Sequence, residues 1–567
     1  MKLQAIANIA EICFQKGITK AILSPGSRCA PLTLAFVRHP NIDTYTISDE
    51  RSAAFIGLGM ANYLQQPVVL ICTSGSAAYN YAPAIAEAFF RHIPLLVLTA
   101  DRPPEWIDQW DGQTIRQQEI YGKHILKSYQ LPTVLDNAES VWHSERIVSE
   151  AVNLCNVGSK GPVHINIPLR EPFYPGREEA YNYSKEVKVI NETISIAPNL
   201  SSAQMAPFLS QWKESDRKLI VGGQSDTDTS LNSALTKLGE RKQCVLVGDV
   251  IANLSCENKI QYHDTFLAND DQALKDALRP DLLITFGLSI ISKSLKLFLR
   301  EFKPKVHWHI SPHGEVGDPF KSLTNIIRTS PTDFFIGLAE VENNDNFQKQ
   351  KEENYFNLWH IEDKKIAEYH RSFFSTINFG EFKAIESILK HIPVSSDLHV
   401  ANSMAVRYVS IIANLPRDIR IFANRGTSGI DGSNSTAVGT ALASGKLTTL
   451  ITGDMAFFYD RNAFWHNYPI SNLRVIVLNN HGGGIFRLIK GPSEQPELEE
   501  YFETKQALNA KNTAADFGFD YYCANNMNEL SLALTDFFEG NGRAKILEVF
   551  SDSRCNQEIF NQYKKSL

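Results

Sequence analysis

The sequence predicts an α/β protein of three doubly wound domains with mostly parallel sheets. Three observations carry this. The chain has 567 residues, too many for one hydrophobic core when domains run about 100–200 residues. Short, near-continuous apolar runs recur along its length, as strands covered on both faces require. Those runs alternate with helix-length segments, the pattern of βαβ units.

The blocks follow in order. In the first, "KAILSPG", "PVVLICTSG", "IPLLVLTADRP" and "GPVHINIPL" read as strands. The Pro-, Gly- and charge-rich stretch "NVGSKGPVHINIPLREPFYPGREEAYNYS" marks a boundary near residues 175–195. The second block offers "RKLIVGG", "QCVLVGDV", "PDLLITFG" and "KVHWHIS"; the polar run "EVENNDNFQKQKEEN" then reads as a linker entering a charged helix. The third offers "DIRIFANRG", "TTLITGD", "LRVIVLNN" and "AKILEVF". The expected division is 1–185, 190–345 and 355–567. Blocks one and three share a pattern of strand, sharp Gly turn and small-residue helix.

Composition narrows the function. With 43% hydrophobic and 21% charged residues, the chain has the make-up of a soluble globular protein. A net charge of −7 argues against a nucleic-acid partner. Eight cysteines form no C-x-x-C pair and read as reduced thiols. The opening "MKLQAIANIAEICFQKG" has the alternation of an amphipathic helix, not of a signal peptide. No apolar run approaches the ~18 residues of a membrane span. A cytoplasmic location is the resulting expectation.

In open α/β sheets, ligands bind beyond the carboxyl ends of strands. The chemically unusual residues sit at such ends: Ser24-Pro-Gly, Thr73-Ser-Gly, Asp101-Arg102, Asn424-Arg-Gly, Gly453-Asp454 and Asn479-Asn480. Asp454 and Asn480 are separated by 25 residues, room for one helix and one strand. Carboxylate, amide and main-chain oxygens are hard donors that suit Mg²⁺, and Mg²⁺ takes phosphate oxygens as further ligands. N–H groups after Gly453 favour a diphosphate, and Gly482 to Gly484 let the backbone approach it. Alone, Gly-Asp would read as a helix cap and Asn-Asn-His-Gly as a turn. The pair, at this spacing, reverses that preference.

This pattern resembles the diphosphate–metal motif of thiamine-diphosphate (ThDP) enzymes, with Met455 where most of that superfamily has Gly. The resemblance implies ThDP and Mg²⁺ (or Mn²⁺) as cofactors, with Asp454, Asn480 and Gly482 as metal ligands. It implies cofactor contacts from Thr73, Ser428, Gly429, Gly453, Met455, Ala456, Ile485 and Phe486. It assigns Glu50 in "YTISDERSAAF" to N1′ of the aminopyrimidine, and Ile430 to the apolar support beneath the cofactor. Taken by itself, Glu50 also reads as a capping-box acid with Ser48 as the cap.

Five stretches point further: "SPGSRCAPLT", "SDERSAAF", "TADRPPE", "NRGTSGIDG" and "NNHGGGIF". They closely resemble the menaquinone-pathway MenD family, the 2-succinyl-5-enolpyruvyl-6-hydroxy-3-cyclohexene-1-carboxylate (SEPHCHC) synthases. In that family Gly-Asp is commonly followed by an aliphatic residue, so Met455 fits. The resemblance implies a transferase that decarboxylates 2-oxoglutarate and adds the succinyl unit to isochorismate in a 1,4-addition. Both substrates carry two carboxylates, which forked Arg donors bind well. By motif, Ser27, Arg28, Arg102, Gln113, Ser403, Arg407 and Arg425 match the family's substrate contacts, and Gln113 joins Glu50 and Ile430 in the catalytic set. The family has adjacent Lys-Arg in its middle domain; here Lys293 is followed by Ser294, and the second cation is missing or supplied by Lys296. His481 falls within the cofactor motif, "HWH" at 307–309 is expected at a strand edge, and no His is clearly catalytic. The resemblance also implies sites shared by the first and third domains of different subunits, hence a homodimer at least and a homotetramer by preference. The rivals are an acetolactate-synthase-like carboligase or decarboxylase and a non-catalytic ThDP-fold binding protein.

Overall fold

The computed structural model describes residues 2–565 except 172, 176–179, 184–185, 193–199, 341–345, 414, 417 and 541. The expected boundary at 175–195 and the expected linker therefore lie partly outside the described residues.

Three six-stranded sheets form the frame. The first comprises β1 (Lys20–Leu23), β2 (Asp43–Thr46), β3 (Val68–Cys72), β4 (Leu95–Asp101), β5 (Ser128–Gln130) and β6 (Pro162–Pro168). The second comprises β7 (Lys218–Gly222), β8 (Val245–Gly248), β9 (Lys259–Ile260), β10 (Leu282–Phe286), β11 (Val306–Ile310) and β12 (Asn325–Ile327). The third comprises β13 (Asp397–Val400), β14 (Arg420–Phe422), β15 (Thr448–Gly453), β16 (Leu473–Asn479), β17 (Asp520–Ala524) and β18 (Lys545–Phe550). Neighbouring strands pair in parallel, for example β13 with β15 and β15 with β16. The orders are β2-β1-β3-β4-β6-β5, β12-β11-β10-β7-β8-β9 and β14-β13-β15-β16-β18-β17. First and third sheets thus share one winding, as their common sequence pattern implied, and all three are doubly wound.

Every apolar run named from the sequence is a strand. The strands not read there are β2, β5, β9, β12, β13 and β17. All but β13 lie at sheet edges, where one neighbour and partial exposure remove the need for an apolar run. β13 is fully buried, but Asp397 and His399 interrupt its pattern. One expectation is corrected: "HWH" is not at a sheet edge, because β11 lies between β10 and β12. Thr285 Oγ1 stands 2.9 Å from both His307 Nε2 and His309 Nδ1. Burial pushes both imidazoles down to about 4, so they sit neutral in the sheet.

The charged helix expected after the linker runs Asn346–Thr376. Its Tyr355, Trp359 and Ile366 close one core of the middle sheet. No helix among the described residues is long and apolar enough to cross a membrane.

The first and third domains share a core. Ile22, Phe55 and Val97 cluster with Val438, Phe457 and Val475. The contact is made by helix Glu50–Leu64 crossing helix Ser433–Ser444. Small residues set the distance: a Cβ on Gly59 would stand 2.1 Å from the Thr436 carbonyl oxygen, and one on Gly439 would stand 2.1 Å from that of Ile56. Backbone cannot give way as a side chain can, so Gly439→Ala is expected to destabilise the protein by about 3 kcal/mol, the upper end of overpacking costs. An unchanged midpoint in urea would show that the crossing relaxes freely.

Candidate active site

In the third sheet, β13 and β15 are neighbours whose chain order runs in opposite directions across the sheet, so a crevice opens at their carboxyl ends. Beyond β13 come Asn402 and Ser403; beyond β15, Asp454; beyond β16, Asn480. They line one cavity of about 270 Å³. Ile430, Gly453, Met455 and Ala456 line it as well, as do Gly482, Ile485 and Phe486. The residues assigned to metal and diphosphate are thus brought together. Ser428 and Gly429 stand in the loop just before Ile430 but do not line the cavity.

Asp454 is 2% exposed. Its Oδ1 accepts the Met455 N–H at 2.7 Å and its Oδ2 accepts Gln506 Nε2 at 2.8 Å. Burial pushes its carboxyl up to about 6 against the pull of these bonds, and a cation beside it would reverse that shift. The Met455 N–H, expected to face a diphosphate, is thus turned to Asp454 here. Asn480 Nδ2 donates to Glu381 Oε1 at 2.6 Å. Its Oδ1 is buried and has no hydrogen-bond partner among the described residues. A Cβ on Gly453 would meet only open space, whereas one on Gly482 would stand 2.9 Å from the Glu503 carbonyl. One carboxylate, one orphaned amide oxygen and glycine-lined room beside them fit a hard divalent cation carrying phosphate oxygens.

The first domain assembles its own set at the ends of β1, β3 and β4. Gly26 and Thr73 are pressed together; a Cβ on Gly26 would stand 2.3 Å from that of Thr73. Thr73 Oγ1 is buried without a hydrogen-bond partner among the described residues. Glu50 is the first residue of its helix, but Asp49, not Ser48, is the cap: Asp49 Oδ1 accepts the Ser52 N–H at 3.1 Å. Burial raises the Cys29 and Cys72 thiols and the Glu50 charge adds to it, so Glu50 is within electrostatic reach of both. Arg28 is buried, donates to the Leu169 carbonyl at 2.9 Å and stacks on Phe173; Ser27 beside it is exposed. Arg102 pairs with Asp111 at 3.2 Å and donates to the Gly112 carbonyl at 2.7 Å. Gln113 follows at φ 55 and packs against Gly75.

None of these first-domain residues lines the third-domain cavity.

Cations border the third-domain cavity. Arg407 donates to the Ser403 carbonyl at 2.6 Å, and Arg425 donates to Asn402 Oδ1 at 2.8 Å. The two guanidinium charges feel each other. From the middle domain, Lys296 donates to the Ile290 carbonyl at 2.9 Å; burial lowers the pKa of its ammonium, with Asp249 opposing the shift and the Arg425 charge adding to it. Lys293 is exposed at the start of the same helix.

Sequence reasoning missed the groups that hold this arrangement. Asn402 Nδ2 donates to the carbonyls of Asn424 and Gly429, both at 2.6 Å. Glu87 of the first domain accepts the N–H groups of Gly426 and Thr427 at 2.8 and 2.7 Å. Gln224 of the middle domain donates to the Ala423 carbonyl at 2.9 Å. The loop carrying Arg425 and Ile430 is therefore fastened by all three domains. Glu381, Gln506 and Gln117, which accepts the Gly75 N–H at 2.8 Å, were likewise missed. Each acts on a residue far along the chain, and no spacing announces it.

Residues 4–120 match the family model of the thiamine pyrophosphate enzyme N-terminal TPP binding domain. Residues 189–400 match that described as the middle domain of thiamine pyrophosphate. Three parallel sheets, these two domains and the Asp454–Asn480 cavity define a thiamine pyrophosphate enzyme. The full chain is also similar to curated relatives. It is 47% identical over 567 residues to the SEPHCHC synthase of Cytophaga hutchinsonii, covering 100% of this chain and 99% of that one. It is 40% identical to that of Flavobacterium psychrophilum, with the same coverage, and 37% identical to that of Porphyromonas gingivalis, covering 99% and 96%. The chain belongs to the SEPHCHC synthase family.

Proposed function

We propose that this protein decarboxylates 2-oxoglutarate and joins the resulting succinyl unit to isochorismate by 1,4-addition, releasing CO₂ and SEPHCHC in menaquinone biosynthesis. The observation that carries the reading is the cavity itself. Asp454 and the bare Asn480 oxygen stand inside it, while Arg407 and Arg425 are bonded to two residues of its wall. A metal–diphosphate seat bordered by guanidinium groups suits dicarboxylate substrates.

In this reading Asp454, Asn480 Oδ1 and the Gly482 main chain hold Mg²⁺ or Mn²⁺. Ala456 would offer its N–H group to the diphosphate while the Met455 N–H stays with Asp454; Met455, Ile485 and Phe486 line the seat, Ser428 and Gly429 carry the loop that leads to Ile430, and Thr73 belongs to the first-domain half. When bound, ThDP supplies the electron sink that loss of CO₂ from a 2-oxo acid requires. Ile430 supports the cofactor from below. Glu50 would hydrogen-bond N1′ of the aminopyrimidine, and Gln113 would stand beside the reacting end. Arg28, Arg102, Arg407 and Arg425 fix the substrate carboxylates, with Ser27, Ser403 and the middle-domain lysines, Lys293 or Lys296, completing the shell. The first-domain half comes from a second copy of the chain, which makes the working unit a homodimer at least and a homotetramer by preference. The site of action is the cytoplasm.

The test is an assay with ThDP, Mg²⁺, 2-oxoglutarate and isochorismate, with pyruvate as the control. Consumption of isochorismate together with CO₂ release is expected. Decarboxylation of pyruvate with isochorismate untouched would favour an acetolactate-synthase-like enzyme, and no turnover of either would favour a binding protein. Arg102→Ala should raise the KM for a carboxylate substrate by about 10–100-fold, the worth of a charge-assisted bond. Steady-state kinetics check this; an unchanged KM removes Arg102 from substrate binding.

A further inference from the structure

An asparagine amide has two ends of similar shape and opposite use: only the oxygen can bind a cation. At Asn480 something must decide which end faces the cavity. Glu381 is in position to do so. It is 3% exposed and lies at the cavity wall. Its Oε1 accepts from Asn480 Nδ2 at 2.6 Å. With the nitrogen held there, Oδ1 is left buried and without a hydrogen-bond partner among the described residues. Turning the amide over would bring its oxygen against the acceptor oxygen of Glu381 and present N–H groups to the cation, so both ends would lose.

Glu381 is itself fixed. Its N–H donates to Asn556 Oδ1 at 3.0 Å, and Asn556 Nδ2 donates to Ser551 Oγ at 2.9 Å. The preceding Gly380 leaves no space for a side chain at this joint, since a Cβ there would stand 2.7 Å from Asn556 Oδ1. Gly484 closes the other side; a Cβ on it would stand 2.9 Å from Asn480 Nδ2. A chain of contacts thus runs from helix Ser553–Lys565 through Glu381 to the Asn480 oxygen.

We propose that Glu381 is a positioning residue that orients the Asn480 amide, oxygen inward, and so sets the affinity of the site for its divalent cation. The inference rests on the reading of Asp454 and Asn480 as metal ligands. It assigns Glu381 no direct bond to the metal; its effect passes through Asn480.

The experiment measures Mn²⁺ binding by electron paramagnetic resonance in the presence of ThDP, without substrate. E381A, which removes the acceptor, should weaken Mn²⁺ binding by about 10–100-fold, as loss of a partner that orients a metal ligand does. E381Q can either accept from Asn480 Nδ2 or donate to its oxygen, so it orients the amide only in part and should fall between the native protein and E381A. In an N480A background, E381A should cost less than about twofold more, because a residue acting through another loses its effect with it. Undiminished loss from E381A in the N480A background would overturn the proposal in favour of Glu381 acting by charge or as a ligand. Native affinity in E381A with weakened binding in N480A would also overturn it. Native affinity in N480A itself would instead overturn the ligand reading on which it rests. Should E381A fail to fold, E381L fills the same buried space without an acceptor.

Discussion

Glu50→Gln should lower kcat by about 10³-fold, within the range that a positioned proton-transfer group contributes, while the dissociation constant for ThDP changes by less than about threefold. The two readouts separate because the residue sits apart from the diphosphate seat: Glu50 does not line the cavity that holds Asp454 and Asn480. Nor is it the cap of its helix, since Asp49 fills that role. Gln keeps the length and removes the carboxylate, so folding should be undisturbed. Stopped-flow or steady-state turnover and a fluorescence titration with ThDP measure the two quantities. Turnover near the native rate would dismiss Glu50 from the reaction; loss of cofactor binding alone would make it a binding group only.

Asp454→Asn should abolish cofactor loading at ordinary Mg²⁺ concentrations. Groups that merely orient a ligand cost about 10–100-fold in metal affinity, and removing the charge of a ligand costs at least the upper figure. The local frame should survive. Asn can still accept the Met455 N–H, although its amide nitrogen would then face Gln506 Nε2, which now donates to the carboxylate at 2.8 Å. Calorimetric titration with Mg²⁺ and ThDP checks the loss. Unchanged affinity would remove Asp454 from the metal site.

Much of the frame could be read from the chain because parallel strands buried on both faces leave long apolar signatures. The Asp454–Asn480 pairing was legible for a related reason. β15 and β16 are adjacent and successive, so one helix and one strand necessarily separate their ends. Asn402 and Glu381 had no such signature. Glu381 meets Asn480 from 99 positions away, and its sequence neighbours are those of any helix start. Glu87 illustrates the same limit. It reads as a solvated acid on an amphipathic helix, yet it is buried and holds two backbone N–H groups 339 and 340 positions ahead. The middle-domain cation stays open on the sequence, which offers Lys293 and Lys296; in the fold Lys296 Nζ donates to the Ile290 carbonyl within electrostatic reach of Arg425.

The core shared by the first and third domains has a consequence in time. Phe55 and Val97 are completed by Val438, Phe457 and Val475, and synthesis at about 5–20 residues per second puts tens of seconds between the two groups. For that interval the nascent first domain carries an uncovered apolar face, the helix Glu50–Leu64 without its crossing partner. The chain is then most exposed to aggregation, and a chaperone that shields this face until residue 475 has emerged would act where the need is greatest.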